Sequence, residues 1–268
     1  MRLANAPLVH VLAQVVFSPV PKFADTLPEL QARLSALDFP WLQVGSTQQI
    51  TFGVNAPPKI EVQPRWDFLN PDRTTGVVLT DTSLVLQTTR YTSAQPFRQR
   101  LADVVRAVHD VAGPRLVERL GLRYIDLVCT DEGESFEAYV HPGVLGFPFG
   151  GLGYPPTARQ GLATNATAGT PVGLLVVRSS VVPPNQPVPA DLLPTPLRYP
   201  PSAMSPRPAL ALDFDHFAQF ATPFPFATDA IISYMQQLRN ASHAAFEAVG
   251  TAHAFTRWGP WIQEEATT

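Results

Sequence analysis

Cysteine is nearly absent from this chain. Cys129 is the only one in 268 residues, so neither an intrachain disulfide nor a thiolate metal site can form. Placed in a run of β-formers, it reads as a small buried hydrophobe rather than a nucleophile. Charge is sparse too: Asp, Glu, Lys and Arg make up 15% of the chain and the formal net charge is −3. No Lys/Arg-rich run supplies a local basic patch, which disfavours nucleic acid as a partner. Long apolar runs are missing as well. Nothing approaches the roughly 20 uninterrupted apolar residues that span a bilayer, and the opening MRLANAPLVH has no apolar segment of signal-peptide length. The expectation is a cytoplasmic protein of bacterial type, with no membrane partner.

Catalytic and ligand motifs are the third absence. The histidines stand at 10, 109, 141, 216, 243 and 253, none in HExxH or another close ligand spacing. There is no GxSxG, no SxxK and no Cys/His pairing for covalent catalysis. The glycine-rich stretch from Gly143 to Gly153 is interrupted by Pro148 and lacks a following Gly-Lys-Ser/Thr, so it is a flexible segment and not a phosphate loop. No motif calls for a cofactor or a metal centre.

What the chain does contain is a hydrophobic content of 45% and 29 prolines, enough apolar material for one large domain or two small ones. The stretch that organises it is Leu116–Thr130, LVERLGLRYIDLVCT. In an extended strand Leu120, Leu122, Tyr124 and Val128 point one way, and Arg119, Arg123 and Leu127 the other. Charges on a mid-chain strand must either line a polar cavity or pair internally, because an unpaired buried charge costs several kcal/mol. Arg123 is therefore expected in an ion pair with Asp126 or another carboxylate, the competing role being contact with a ligand phosphate or carboxylate.

On either side of that strand the order of elements is similar. Leu8–Phe17 reads as a strand with Val9, Val11, Ala13, Val15 and Phe17 on its cleaner face. A helix follows, with Phe23, Leu27, Leu30, Leu34 and Leu37 at helical spacing behind a capping-box pattern at Thr26–Glu29. Strands at Leu42–Phe52, Ile60–Leu69, Gly76–Leu79 and Leu84–Tyr91 make an antiparallel meander. A second amphipathic stripe, Phe97 to Val111, ends at Gly113-Pro114. After the central strand come a short helical candidate at Ser135–Val144, strands at Val172–Val182 and Ala209–Phe217, and the longest helix at Thr228–Val249. The predicted fold is α+β: two tandem helix-grip-like halves, 1–115 and 116–268, forming one compact body of antiparallel sheet with long helices on one face. The two halves are expected to join through Leu8–Phe17 and the central strand. Fifteen of the 29 prolines fall between Pro142 and Pro208, giving two long loops, Gly143–Thr170 and Pro183–Pro208. Their apolar residues argue for packed loops or a partner surface.

Two constellations could carry chemistry. Asp213 and Asp215 in ALALDFDHF share one strand face, where they could ligate a divalent cation, share a proton or pair with arginines, while His216 points away. Arg90-Tyr91 and Arg123-Tyr124 repeat an arginine beside a phenol, which suits an anionic or aromatic ligand and equally an ion-pair network. The candidate binding residues are thus Arg90, Tyr91, Arg123, Tyr124, Asp126, Asp213 and Asp215.

Asn5-Ala-Pro-Leu8, Trp66-Asp-Phe68, Tyr91 followed by Phe97 and a helix, RLGLRYID at Arg119–Asp126, and Leu212-Asp-Phe-Asp215 together resemble a sporadically distributed, functionally uncharacterised bacterial family of about 250 residues. The resemblance spans nearly the whole chain, with RLGLRYID its most specific piece. Asp126 stands where many members carry Asn. The resemblance implies no catalytic residue, and the family's patchy distribution suggests a mobile defence or biosynthetic operon. The expected function is a non-catalytic binding or accessory protein for a partner protein or a small anionic ligand, with a homodimer allowed. The alternative is a metal-assisted enzyme acting on a phosphorylated or carboxylated substrate through Asp213, Asp215 and Arg123, using Mg²⁺.

Overall fold

A computed structural model describes residues 2–51, 59–148, 152–153 and 161–262. The first half runs β1 (Arg2–Leu3), β2 (Leu8–Phe17), α1 (Leu27–Ala36), β3 (Trp41–Thr51), β4 (Lys59–Leu69), β5 (Thr75–Leu79), β6 (Ser83–Thr88) and α2 (Ala94–Ala112). The second runs β7 (Leu116–Val128), α3 (Phe136–Tyr139), β8 (Ala163–Thr170), β9 (Gly173–Val182), β10 (Ala209–Pro225), α4 (Thr228–Val249), α5 (Ala252–Trp258) and β11 (Trp261–Ile262). Among the described residues nine strands form one antiparallel sheet in the order β3-β4-β5-β6-β2-β7-β10-β9-β8. The fold is α+β, and β2 pairs with β7 at its centre, Val11 opposite Tyr124 and Val15 opposite Leu120. No described helix is long and apolar enough to cross a membrane.

Side-chain alternation sorts the sheet into two unlike faces. Val11, Ala13, Val15 and Phe17 of β2 and Leu120 and Leu122 of β7 join Leu30 and Leu34 of α1, Leu101, Val104, Val105 and Val108 of α2, and Ile231, Met235 and Leu238 of α4 in the main core. Fully burying each of these side chains other than that of Ala13 contributes about 1.5–3 kcal/mol. The opposite face, over β2, β7, β9 and β10, is covered by the Pro-rich segment. Val188, Ala203, Leu192 and Tyr199 pack there on Val9, Ile125, Leu127 and Ala211. That segment is a packed strap, with the Arg73 guanidinium donating to the Pro196 carbonyl and the Thr89 hydroxyl to the Arg198 carbonyl.

Three local expectations need correction. Gly143–Thr170 is not wholly loop, because β8 pairs along its length with β9. Thr26 does not close a capping box: its hydroxyl donates back to the Phe23 carbonyl, and no side chain caps α1. Cys129 is exposed, one residue beyond the end of β7, and not a core hydrophobe. Residues 52, 149–151 and 154–160, within the expected strand Leu42–Phe52 and the glycine-rich loop, lie outside the described residues.

One turn fixes the far edge. Gly173 opens β9 with φ of 155°, and a Cβ there would sit 2.1 Å from the Phe217 carbonyl oxygen. A Gly173→Ala variant should lose about 1–3 kcal/mol through strain of that kind, read as a lower urea midpoint with an unchanged slope.

Candidate functional site

A cavity of about 560 Å³ opens on the helical side of the sheet where the segment before β2 meets α4, α5 and β11. Its outer wall is the segment before β2. Leu3 is paired with Trp261, the Ala4 amide donates to the Pro260 carbonyl, and the Asn5 amide donates to Trp258. The Pro7 carbonyl then accepts from the Leu127 amide, so Asn5, Ala6 and Pro7 are held across the mouth. At the corner, Gly259 turns with φ of 79°, and a Cβ would meet that of Ala4 at 3.0 Å. The floor is β7 and β10, giving Tyr124, Asp126 and Phe214; the roof is the last turns of α4, giving Arg239, Ser242, His243 and Phe246. Phe246 stacks on Trp258 at 5.5 Å and meets Phe214 edge-on, so the apolar walls brace one another.

Asp126 is the unusual group. Its residue is 4% exposed, it lines the cavity, and no described residue hydrogen-bonds or ion-pairs with it. Burial raises its pKa from 3.8 to about 8, because a desolvated carboxylate without a counter-charge is costly. Tyr124 beside it is pushed further above the usual phenol range, by burial first and by neighbouring Tyr91 next, with Arg239 acting in the opposite direction. The Tyr91 and Tyr124 rings meet edge to face at 6.1 Å. Arg239 has no carboxylate partner among the described residues, nor has Arg98, which shares with it a small recess against Tyr91 and Tyr124. Burial lowers the pKa of His243, and Arg239 nearby adds to that, which favours the neutral ring; its edge faces Trp261 at 5.3 Å.

The sequence-expected residues divide between two places. Tyr91, Tyr124 and Asp126 come together in the cavity. Arg123, Asp213 and Asp215 lie on the other sheet face in an ion-pair network. The Arg123 guanidinium donates to both Asp213 oxygens at 2.8 and 2.7 Å and reaches Asp191 of the strap at 2.8 Å. Arg178 sits 3.1 Å from Asp213 and 3.5 Å from Asp215. Burial alone would lower the pKa of Arg123, but its bonds to Asp213 and Asp191 outweigh that and raise it. With Asp213 surrounded by guanidinium donors, this cluster is arranged as a structural clasp. Arg90 is exposed and reaches Asp72 only at 3.9 Å, a pair worth little in water. Among the described residues no three His, Cys, Asp or Glu groups could hold a metal ion.

On the same face His10 sits under the strap, its Nδ1 2.6 Å from the Tyr199 hydroxyl. Burial, reinforced by Arg123, lowers its pKa to about 4, so it is neutral near pH 7. The cavity residues that sequence reasoning missed are Asn5, Arg239, Ser242, His243, Phe246, Trp258 and Trp261. For Arg239 and His243 a signal existed, since they share one flank of an otherwise amphipathic helix. No protein-family model matches this chain, and no curated protein does so either.

Proposed function

We propose that this chain is a non-catalytic binding protein that receives a small ligand carrying an anionic group in the cavity between the segment before β2 and the last turns of α4. The observation that carries this reading is Asp126, buried and without a partner among the described residues, in a cavity where Arg239 also has no counter-charge among them. A buried carboxyl beside a half-buried guanidinium, in a cavity of mixed polar and aromatic lining, carries a desolvation cost at the carboxyl that a bound molecule would offset. The volume lies within the range of small-molecule sites, and the pattern of aromatic wall with a few polar groups is theirs as well.

The same proposal includes descent from a duplicated unit. Supporting it, within the nine-stranded sheet each half places its last strand beside its first, β6 next to β2 and β10 next to β7, and a long helix, α2 or α4, follows that last strand. Membership of the bacterial family suggested by RLGLRYID fits a binding role, because that resemblance carries no catalytic residue. A partner protein is the lesser reading, since the polar groups converge inside a concavity and not on an exposed face.

The test uses 8-anilinonaphthalene-1-sulfonate, an aromatic anion whose fluorescence rises in apolar sites. It should bind the native protein one to one. Binding should weaken tenfold or more in Arg239→Gln, and in the filled-cavity variants Ser242→Phe and Ala6→Trp, the latter set on the exposed arm where it does not disturb the core. Undiminished binding in both filled variants, with native melting curves, would overturn the assignment.

A further inference from the structure

The cavity's polar groups are unlike one another, and that narrows what fits. Arg239, with Arg98 just beyond it in the adjoining recess, offers planar donor forks to an anion. Asp126 lies on the floor, between Leu8 and Leu212 of the neighbouring strands. The same lining is rich in aromatic side chains: Tyr124 and Phe214 from the sheet strands, Phe246 and Trp258 from the helices. A ligand that satisfies all three must therefore have an acidic end, a flat ring and an edge bearing N–H groups.

We infer that the cavity takes a purine nucleoside monophosphate or a close chemical analogue, with its phosphate on Arg239, its ring among the aromatic side chains and its N–H edge on Asp126. The inference rests on the binding role proposed above and deepens it. A carboxyl suits that edge in either charge state. As a carboxylate it accepts two N–H bonds, as from guanine; as the neutral acid it donates one and accepts one, as with adenine. Rings of this kind stack on aromatic side chains, at about 1–3 kcal/mol per base. A simple inorganic anion would leave Asp126 unsatisfied, and an aliphatic acid would leave the aromatic walls without a partner. An aromatic amino acid is the nearest competitor, because its ammonium could face Asp126; it carries its acid and amine on one carbon, whereas a nucleotide carries its phosphate and its N–H edge at opposite ends, and competition by phenylalanine tells the two apart.

Displacement of 8-anilinonaphthalene-1-sulfonate, followed by calorimetry, tests the inference on the full chain. AMP or GMP should displace the dye. Removal of the phosphate, in adenosine or guanosine, should weaken binding tenfold or more, and ribose 5-phosphate and phenylalanine should fail to compete. Asp126→Leu, shown to be folded by its melting curve, should lose tenfold or more in nucleotide affinity by calorimetry, while Arg239→Gln should bring nucleotide and nucleoside to similar affinities. If the dye binds and both filled variants exclude it, yet neither nucleotide competes, the nucleotide assignment is wrong and the cavity reading stands. Equal competition by ribose 5-phosphate, or wild-type nucleotide affinity in a folded Asp126→Leu, would also overturn it. If the filled variants keep the dye, both readings fall together.

Discussion

Asp213→Ala should cost this protein about 3–5 kcal/mol, the penalty typical of removing one partner from a buried ion pair. The Asp213 side chain is 3% exposed and that of Arg123 12%. Two parallel N–H···O bonds join them, and Arg178 shares one of the same oxygens. Taking away the carboxylate leaves two guanidinium groups on one sheet face, with Asp191 and Asp215 as their remaining counter-charges. The damage should be greatest at the strap, because Arg123 ties Asp191 to the sheet. Urea unfolding would show a lower midpoint, and limited proteolysis would show faster cleavage in 183–208. Asp215→Ala, at the 3.5 Å edge of the cluster, should cost 1 kcal/mol or less, in the range of weak surface pairs. A combined Arg123→Met and Asp213→Leu variant should be less damaged than the sum of its single changes, since contacting charges couple strongly. Additive losses would show that the clasp is not a unit. Losses in Asp213→Ala below 1 kcal/mol would show that water replaces the missing oxygens.

The clasp and the cavity were legible in the sequence to different degrees. Leu8–Phe17 and Thr228–Val249 have the residue bounds expected of them, because their apolar spacing is strong and β-branched or aliphatic residues fill the buried positions. Alternation also put Asp213 and Asp215 on one face, with His216 opposite; the His216 Nδ1 indeed lies 2.9 Å from the Leu238 carbonyl of α4. Alternation does not reveal which strand lies beside which, so the partner of Arg123 stayed open between Asp126 and a distant carboxylate. Residues 123 and 126 differ by an odd number, which places them on opposite faces of β7, and the register of β7 against β10 brings Asp213 near instead. β8, ATNATAGT, gives no hydrophobic signal because it is an exposed edge strand held by backbone pairing to β9. α5 is too short for a periodic stripe, and β1 and β11 are two residues each. The cavity depends on those weak elements, since they close its mouth; its floor residues Tyr124 and Asp126 were visible and its roof was not.

Asp126→Asn should make the empty protein more stable at pH 7 and remove a fall in stability between about pH 4 and 8, the opposite contribution of buried His10 being common to both proteins. The sign follows from a folded-state pKa raised to about 8 against 3.8 for the free group. Below pH 4 the side chain is neutral in both states and contributes no electrostatic penalty. As pH rises through 3.8 the unfolded chain releases the proton while the folded one keeps it, so stability falls with pH, and the fall ends once the folded carboxyl ionises near pH 8. Each pKa unit corresponds to about 1.4 kcal/mol, so three units between 3.8 and 7 set a ceiling of about 4 kcal/mol. Water admitted to the cavity reduces this, and about 2–3 kcal/mol at pH 7 is the expected gain. Asn keeps the shape but cannot ionise. Melting curves of wild type and Asp126→Asn at pH 4, 6 and 8 give the test: the two should nearly coincide at pH 4 and diverge by pH 8. Parallel curves at all three values would mean that Asp126 is already ionised and solvated in the folded protein. In the presence of a nucleotide that pairs with the carboxylate the wild type should recover part of the difference, because a ligand specific to the native state adds its binding free energy to stability.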